Sequence, residues 1–427
     1  MNNLNFIKML FLRKKTFIIA ILCFILISYH FVVWKSISPN TLNISLFANL
    51  KIHKIASIES NDTIEEKYDI FYDIFKDKNI ILLGESTHSD ETTFAIKNEM
   101  IEYLHKKMGF SIIAFESGRF EAEYFSMHLD STYFDKSLWP FWAESPYSNK
   151  LLEYIQYSQK TSLPIHIEGF DIQPSGNLPI KERVEIVDNY LKKKGSSLNN
   201  FPIIESSVKN LQSGIFWKML SLKDTEIMNH AINQLVKLCE STPFTQQDTI
   251  FMNYFRNLNN YAKYQKMIWE SNERFQYRDS LMANSFFDIY DNKYKNKKII
   301  IWLSNFHALY NNSQYKSNVA FLKFRTFGEY LKRKYKNKMY ALCFTSFCTK
   351  NKSNMIYDQA TPSSMEYQLH KLNYNCAFIN FENNNSIKTQ HFLMRTNQNL
   401  ILDANWGKMC DGIFYIDTIL QNKNEYN

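Results

Sequence analysis

The sequence predicts an α/β fold, with a parallel β-sheet flanked by helices, a helical insertion and one N-terminal transmembrane helix. Three observations support this prediction. Short apolar runs alternate with stretches of helical periodicity, the pattern of a parallel sheet between helical layers. Strand signals disappear between about residues 180 and 290. A long uncharged apolar run lies within the first 35 residues.

The N-terminal apolar run covers residues 16–34, and its 19 positions are enough to cross a bilayer as a helix. Basic residues precede it without any acid, so the positive-inside rule places the N-terminus in the cytoplasm. We expect residues 1–35 to form a single-pass membrane anchor that contacts the lipid bilayer, with the remainder on the periplasmic or extracellular side. A cleavable signal peptide is the alternative, but no small-x-small site follows Trp34.

The net charge of +8 depends on this N-terminal segment, which holds five of the 50 basic residues and no acid. The rest of the chain has 45 basic and 42 acidic residues, and this near balance gives no reason to expect a nucleic-acid partner. One of the six cysteines lies in the apolar run, and the other five are an odd number that shows no disulfide framework. No Cys and His residues have zinc-finger spacing, and we expect no cofactor.

Residues 36–68 lack sustained periodicity and are predicted to be a tether that could contain one short helix, whereas residues 69–420 are predicted to form the α/β domain. Strands are expected at 79–83, 111–115, 164–168, 298–303 and 339–344, with weaker candidates at 376–381 and 412–416. Helical patterns occupy the gaps, for example at 91–108, 151–160 and 326–335. Runs that are apolar at every position indicate strands covered on both faces, as in a parallel sheet.

The predicted insertion, at about 180–290, shows long amphipathic patterns that break near 195–202 and 241–243. At the carboxyl edge of the sheet it would cover a cleft and could present aromatic rings to a ligand. Those rings are Phe216, Trp217, Tyr254 and Trp269. Aromatic residues make up 16% of the chain, so packing between helices is the commoner explanation for any one ring.

Polar residues follow the ends of four predicted strands. The first strand stops at Gly84 and is followed by an acid, two hydroxyl side chains and a histidine. The full set after the four strands is Glu85, His88, Glu116, Asp171, Asn305 and His307. Ligands of open α/β sheets bind at the carboxyl ends of the strands, so we expect these residues to form one site.

Each residue of this set also has a structural explanation. His88 could cap a helix or lie on the surface, Glu116 could be an ion-paired core carboxylate, and His307 could cap a turn. Their coincidence at equivalent strand ends favours a functional site.

Such a set supports proton transfer. A histidine can accept a proton from water near neutral pH, and a carboxylate on its other ring nitrogen fixes the tautomer and stabilises the imidazolium. No serine lies in a G-x-S-x-G elbow, so a serine hydrolase would lack its nucleophile. Two histidines with carboxylates could instead hold a divalent metal ion, but the spacing of Glu85 and His88 is not diagnostic. We prefer water activated by His88.

The chain resembles the erythromycin esterase family. The first motif of that family, a strand followed by Gly-Glu-x-x-His, is matched by residues 84–88. Residues 109–116 resemble the second strand and its glutamate, and residues 169–173 resemble the third strand. Further matches are Arg278 and Asp279 with residues 282–284, residues 305–307, Gly328 and residues 411–414. The resemblance covers about residues 70 to 417.

This resemblance implies a hydrolase that cleaves an ester or lactone of a small molecule. His88 would be the general base for water, and Glu85, Glu116 and His307 would shape the site. Lys97, Asp171, Asn305 and Arg278 would support the site or bind the substrate.

Lys97 stands where family members commonly have arginine. Lysine keeps the charge but lacks the planar fork that binds a carboxylate through two hydrogen bonds. The substrate is therefore open, and a macrolide lactone is one candidate. A metal-dependent hydrolase on the same fold and a catalytically degenerate cell-envelope binding protein remain the alternatives.

Overall fold

The structure, a computed structural model, describes residues 50–127, 129–316, 322–351, 353 and 355–421. The predicted membrane anchor at 16–34 and the first part of the predicted tether lie outside these residues. Within the described part of the chain, no helix combines the length and the apolar character needed to cross a membrane.

A mixed β-sheet forms the centre of the described chain. The strands are β1 (Ile52–Ile55), β2 (Ile80–Leu83), β3 (Phe110–Gly118), β4 (His166–Asp171), β5 (Lys298–Trp302), β6 (Met339–Lys350), β7 (Ile356–Gln359), β8 (Cys376–Asn380), β9 (Phe392–Asn397), β10 (Leu400–Ala404) and β11 (Gly412–Leu420). The order in the sheet is β1-β8-β11-β6-β2-β5-β3-β4, and β7 pairs with β6. β9 and β10 form a separate hairpin.

The predicted parallel arrangement is correct for the centre of the sheet and wrong for one edge. β11, β6, β2, β5, β3 and β4 pair in parallel. β8 is antiparallel to β11, β1 is antiparallel to β8, and β7 is antiparallel to β6. An apolar run reports burial but not direction, which explains why the sequence did not reveal the reversal of β8.

Two cores explain why the central strands are apolar at every position. Ile80 and Leu82 of β2 pack into the core on one face, whereas Ile81 and Leu83 pack into the core on the other. Successive side chains of a strand point to opposite faces, so a sheet covered on both sides needs apolar residues throughout.

Helices cover both faces of the sheet. Before β4 they are α1 (Ile64–Tyr68), α2 (Ile70–Phe75), α3 (Glu91–Met108), α4 (Arg119–Phe125), α5 (Tyr133–Ser137), α6 (Pro140–Ala143) and α7 (Ser148–Ser158). Between β4 and β5 they are α8 (Ile180–Lys193), α9 (Pro202–Lys209), α10 (Gly214–Met219), α11 (Leu222–Cys239), α12 (Gln246–Lys266) and α13 (Asn272–Asp288). After β5 they are α14 (Asn305–Ala308), α15 (Phe327–Tyr335) and α16 (Met365–Lys371).

The longest helix of the first half, α3, begins and ends where the sequence predicted. Asp90 caps its N-terminus by accepting a hydrogen bond from the backbone N–H of Thr93. Gly109 ends it in the left-handed conformation, with φ of 74°. These caps fix α3 directly after the loop that carries Glu85 and His88.

The described residues between β4 and β5 form helices and turns only, in the range predicted for the insertion. They have a core of their own, which also takes in Phe120 of α4. Trp217 and Tyr254 are buried in this core, and Phe216 packs against it. Trp269 is different, because it is 69% exposed.

Ordered structure begins inside the range predicted as a tether. β1 pairs with β8, and α1 begins with a capping box between Thr63 and Glu66. A short helix was compatible with the predicted tether, whereas β1 was not among the predicted strands. A strand of four residues at a sheet edge is too short to give a periodic signal.

Candidate active site

Gly84, at the end of β2, is needed because Asn305 packs against it. A Cβ atom at position 84 would lie 2.1 Å from Oδ1 of Asn305. Nδ2 of Asn305 donates to the backbone oxygens of Phe344 and Thr396, at 2.7 Å each. The backbone N–H of Asn305 donates to the backbone oxygen of Glu85 at 2.8 Å. Asn305 is completely buried, so it ties the loop after β2 to β6 and β9 and does not face a ligand.

Glu85 is a buried acid whose two oxygens both have close partners. Oε1 accepts a hydrogen bond from Trp142 Nε1 at 2.8 Å and lies 2.8 Å from His88 Nδ1. Oε2 accepts from Lys97 Nζ at 2.6 Å and from Trp302 Nε1 at 2.9 Å. Burial alone would raise the pKa of Glu85, but the charge of Lys97 and the hydrogen bond with His88 outweigh it and lower the pKa. Glu85 is therefore a carboxylate at neutral pH.

Lys97 lies inside the protein, in α3. Its side chain has no exposed surface, and Nζ lies 4.5 Å from the centre of the Trp302 ring. Burial lowers the pKa of Lys97, and Glu85 opposes this change. Lys97 therefore supports Glu85, and no substrate reaches it directly in this conformation.

His88 is held between Glu85 and two aromatic rings. Its ring stacks on Phe141 with centroids 4.5 Å apart and meets the edge of Trp142 at 5.6 Å. Its side chain is 31% exposed, in contrast to the buried Glu85. When the Nδ1–H group of His88 donates a hydrogen bond to Glu85, Nε2 carries no proton and is the basic nitrogen of the ring.

A second group of charged residues meets around Arg278 of α13. Arg278 donates to Asp171 through Nε at 3.1 Å and Nη2 at 2.6 Å. Nη2 also donates to Oε1 of Glu116 at 3.0 Å, and Nη1 lies 3.0 Å from Nε2 of His307. The ends of β3 and β4 and the turn after β5 are thus joined by one guanidinium group.

His307 is buried between carboxylates and Arg278. Its Nδ1 lies 2.9 Å from Oδ1 of Asp279, and its Nε2 lies 3.3 Å from Oε1 of Glu116. Burial would lower the pKa of His307, but Asp279 and Glu116 outweigh burial and raise it. The charged form donates to Glu116, whereas the neutral form can accept from Arg278.

Electrostatic interactions connect the pair of Glu85 and His88 with the charged residues around Arg278, so that they form one site. Burial would raise the pKa of Glu116, but His307, Arg278 and His88 lower it to about 2. β5 also joins the groups, because Trp302 donates to Glu85 and the backbone N–H of Ser304 donates to Oε2 of Glu116 at 2.9 Å.

The sequence did not assign several residues that hold this site together. Asp279 could have been found because it follows Arg278 directly in the sequence. Trp302 could have been found because it is the last residue of β5. Trp142 and Phe141 gave no signal, because α6 has only four residues and its position depends on tertiary packing.

Metal binding needs donors that are grouped around one point. Within the described residues, no three His, Cys, Asp or Glu side chains are grouped in this way. Glu85 is paired with Lys97, and Asp171 is paired with Arg278, so an ion would have to compete with these cations.

Comparisons with known proteins identify the family and the fold. The sequence profile of the family described as Erythromycin esterase matches residues 105–415, which include Glu116, Asp171, Arg278 and His307. The chain is 26% identical over 302 residues to YbfO of Bacillus subtilis (strain 168), whose name classes it provisionally as a hydrolase. That alignment covers 63% of this chain and 65% of YbfO, so the chain spans less than two thirds of this relative.

Two solved structures share the fold. A succinoglycan biosynthesis protein has a TM-score of 0.68 at 14% identity, and the alignment covers 87% of this chain and 95% of that protein's chain. A mutant of erythromycin esterase EreC in its open conformation has a TM-score of 0.63 at 15% identity, with coverage of 88% and 99%. At these identities the likeness concerns the fold alone. The family profile, however, matches more than half of the sequence, and the chain therefore belongs to the erythromycin esterase family.

Proposed function

We propose that this protein is a membrane-anchored hydrolase that cleaves an ester or lactone of a small molecule with water activated by His88. The observation that carries the proposal is the contact of 2.8 Å between His88 Nδ1 and Glu85 Oε1. The match to the family profile begins after these two residues, so their role rests on geometry and on the Gly-Glu-x-x-His motif.

Glu85 supplies the conditions for a general base. It is ionised, buried and fixed by Lys97, Trp142 and Trp302, so it holds the proton of His88 on Nδ1. Nε2 then takes a proton from water as the water oxygen attacks the carbonyl carbon, and Glu85 stabilises the resulting imidazolium. His88 returns the proton to the oxygen of the departing alcohol, which leaves a carboxylic acid product.

Arg278, and His307 in its protonated form, provide positive charge close to the reacting groups. Negative charge develops on the carbonyl oxygen during attack, and preorganised positive groups stabilise it more effectively than water does. Asp171 binds Arg278 through two hydrogen bonds and Asp279 binds His307, so both side chains are fixed before a substrate arrives.

Aromatic rings beside the two histidines support an apolar substrate. Trp139 and Phe141 stack at 5.9 Å next to His88, and both are partly exposed. Phe306 meets His307 at 5.1 Å and packs against Phe275 at 5.2 Å. A small molecule with an extended apolar part fits this lining.

The test is hydrolysis of a panel of carboxylic esters and lactones, including a macrolide, by the purified full chain. We compare the parent with His88→Asn and with His370→Asn, a matched control in which the histidine pairs with Asp417 on the surface. We expect turnover by the parent and the control and its loss in His88→Asn. Tight binding without turnover would instead support the binding-protein alternative, and turnover that chelation abolishes would support the metal-dependent one.

The location of the domain is tested separately. Alkaline phosphatase fused after about residue 60 should be exported and active, because the basic start should remain in the cytoplasm. Activity of a cytoplasmic reporter at the same junction would contradict the proposed topology.

A further inference from the structure

The most exposed large apolar side chains of the described residues lie in one part of the molecule. They are Ile215, Met219, Leu222, Ile268 and Trp269, with exposures of 73, 78, 85, 80 and 69%. All five belong to the helical insertion. We call this group the apolar tip.

The three segments that carry the apolar tip are in contact with each other. α10 ends at Met219 and α11 begins at Leu222. Nζ of Lys266, at the end of α12, donates to Oγ1 of Thr225 at 3.0 Å, one turn after Leu222. Ile268 and Trp269 come two and three residues after Lys266, so the exposed side chains share one end of the insertion.

The apolar tip lies beside the start of α13, the helix that leads to the active site. The guanidinium of Arg274 covers the Trp269 ring at 4.6 Å and fixes the start of α13. Arg278, which binds Glu116 and Asp171, lies one turn further along α13. Contact at the apolar tip would therefore place the site close to whatever surface the tip touches.

An exposed group of large apolar residues indicates an interaction surface. Charged residues around the apolar tip are mixed in sign, which gives no preference for a highly charged partner. The bases are Lys218, Lys223, Lys263 and Lys266, and the acids are Asp224, Glu226, Glu270 and Glu273. Trp, Leu, Ile and Met side chains that project beside lysines suit the boundary between lipid headgroups and acyl chains.

The chain before the described residues favours the same partner. The predicted membrane helix ends at Trp34, and residues 35–49 separate it from Leu50. Fifteen residues span at most about 50 Å when extended, so the domain would stay within reach of the bilayer. This argument rests on the membrane anchoring proposed above.

We infer that the apolar tip docks on the surface of the lipid bilayer. Its side chains enter the interfacial layer, and α13 then holds the active site close to the membrane surface. An amphiphilic ester in the bilayer could then enter the site from the membrane surface.

The test uses the full chain reconstituted into phosphatidylcholine vesicles. Cys23→Ser removes the one cysteine outside the described residues, and the five described cysteines are buried and free. An environment-sensitive fluorophore is attached to Leu222→Cys and, independently, to Ile268→Cys. The matched control is Tyr157→Cys, 61% exposed, at the end of α7 and outside the insertion.

We expect labels at 222 and 268 to shift to shorter emission wavelength and to be quenched several-fold more strongly by nitroxide-labelled phosphatidylcholine than the label at 157. A wavelength shift without lipid quenching means that protein covers the tip, and no shift means that it remains in water; either result overturns the inference. Failure of the chain to remain with the vesicles overturns it as well. Adding His88→Asn should leave the quenching unchanged, which separates lipid contact from the proposed hydrolysis.

Discussion

Lys97 and Glu85 form a salt bridge of 2.6 Å in which both side chains are excluded from solvent. Removing one partner of a buried pair leaves an uncompensated charge and typically costs about 3–5 kcal/mol, whereas replacing both by uncharged groups is often nearly neutral. The pair therefore allows stability and catalysis to be separated by mutation.

We expect Glu85→Gln to lower both thermal stability and turnover, because Lys97 loses its counter-ion and His88 loses its carboxylate. The double variant Glu85→Gln with Lys97→Met should recover most of the stability but not the turnover. Thermal unfolding and hydrolysis of a confirmed substrate measure the two effects. A double variant with parental turnover would show that Glu85 serves the fold alone.

His88→Asn tests the general base directly. Asparagine keeps a polar side chain of similar shape but cannot accept a proton near neutral pH, so turnover should fall by about 10²–10⁴-fold. The effect should appear in kcat more than in KM, and thermal unfolding should shift little because the side chain is partly exposed. Parental turnover would contradict the mechanism. Joint collapse of stability and activity, absent in His370→Asn, would assign His88 a capping role.

Glu116→Gln should reduce turnover and change the dependence of stability on pH. The pKa of Glu116 is lowered from 4.5 to about 2, so its stabilising effect is present above about pH 4.5 and is lost as pH falls towards 2. The parent should therefore lose more stability than the variant between pH 4.5 and 2. Chemical unfolding across this range measures the difference. Equal slopes would show that the charge of Glu116 does not stabilise the fold.

Asp90→Asn should make the protein more stable at neutral pH. Burial raises the pKa of Asp90 from 3.8 to about 7, although hydrogen bonds from Thr93 oppose this change. The folded state therefore binds the proton more tightly, and the parent loses stability as pH rises from about 4 to 7. Asparagine is an equally good N-cap and does not ionise. The Tm of the variant should exceed that of the parent by a margin that grows up to about pH 7. A margin that does not change with pH would show that ionisation of Asp90 does not destabilise the fold.

The strands and the set of polar residues at their ends could be predicted from the sequence because both are local signals. Apolar runs located β2, β3, β4 and β5, and the first polar residues after them are those that meet in the site. The roles of Asn305 and Lys97 could not be read in this way. Whether a polar side chain faces a cleft or a neighbouring strand depends on tertiary packing, as the contacts of Asn305 with Phe344 and Thr396 show.

Two other features lacked a local signal. The reversal of β8 depends on how α16 returns the chain to the sheet, and β1 is held by pairing with β8 rather than by its own pattern. Asp279 is adjacent to Arg278 in the sequence, yet only the fold brings its carboxylate to His307.

Arg278 and Asp279 also connect the chemistry to the order of folding. Arg278 reaches Asp171 and Glu116 across 107 and 162 positions of sequence, and the intervening chain includes α8 to α12 of the helical insertion. Contacts between such distant residues carry a large loop-closure cost, and they form late when local structure forms early. Pairing of β5 with β2 and β3 spans similar distances in the sequence. Helices that form from local contacts can therefore appear before the charges of the site are in place. During refolding, recovery of catalytic activity should lag behind recovery of secondary structure, so activity reports the final docking of the insertion.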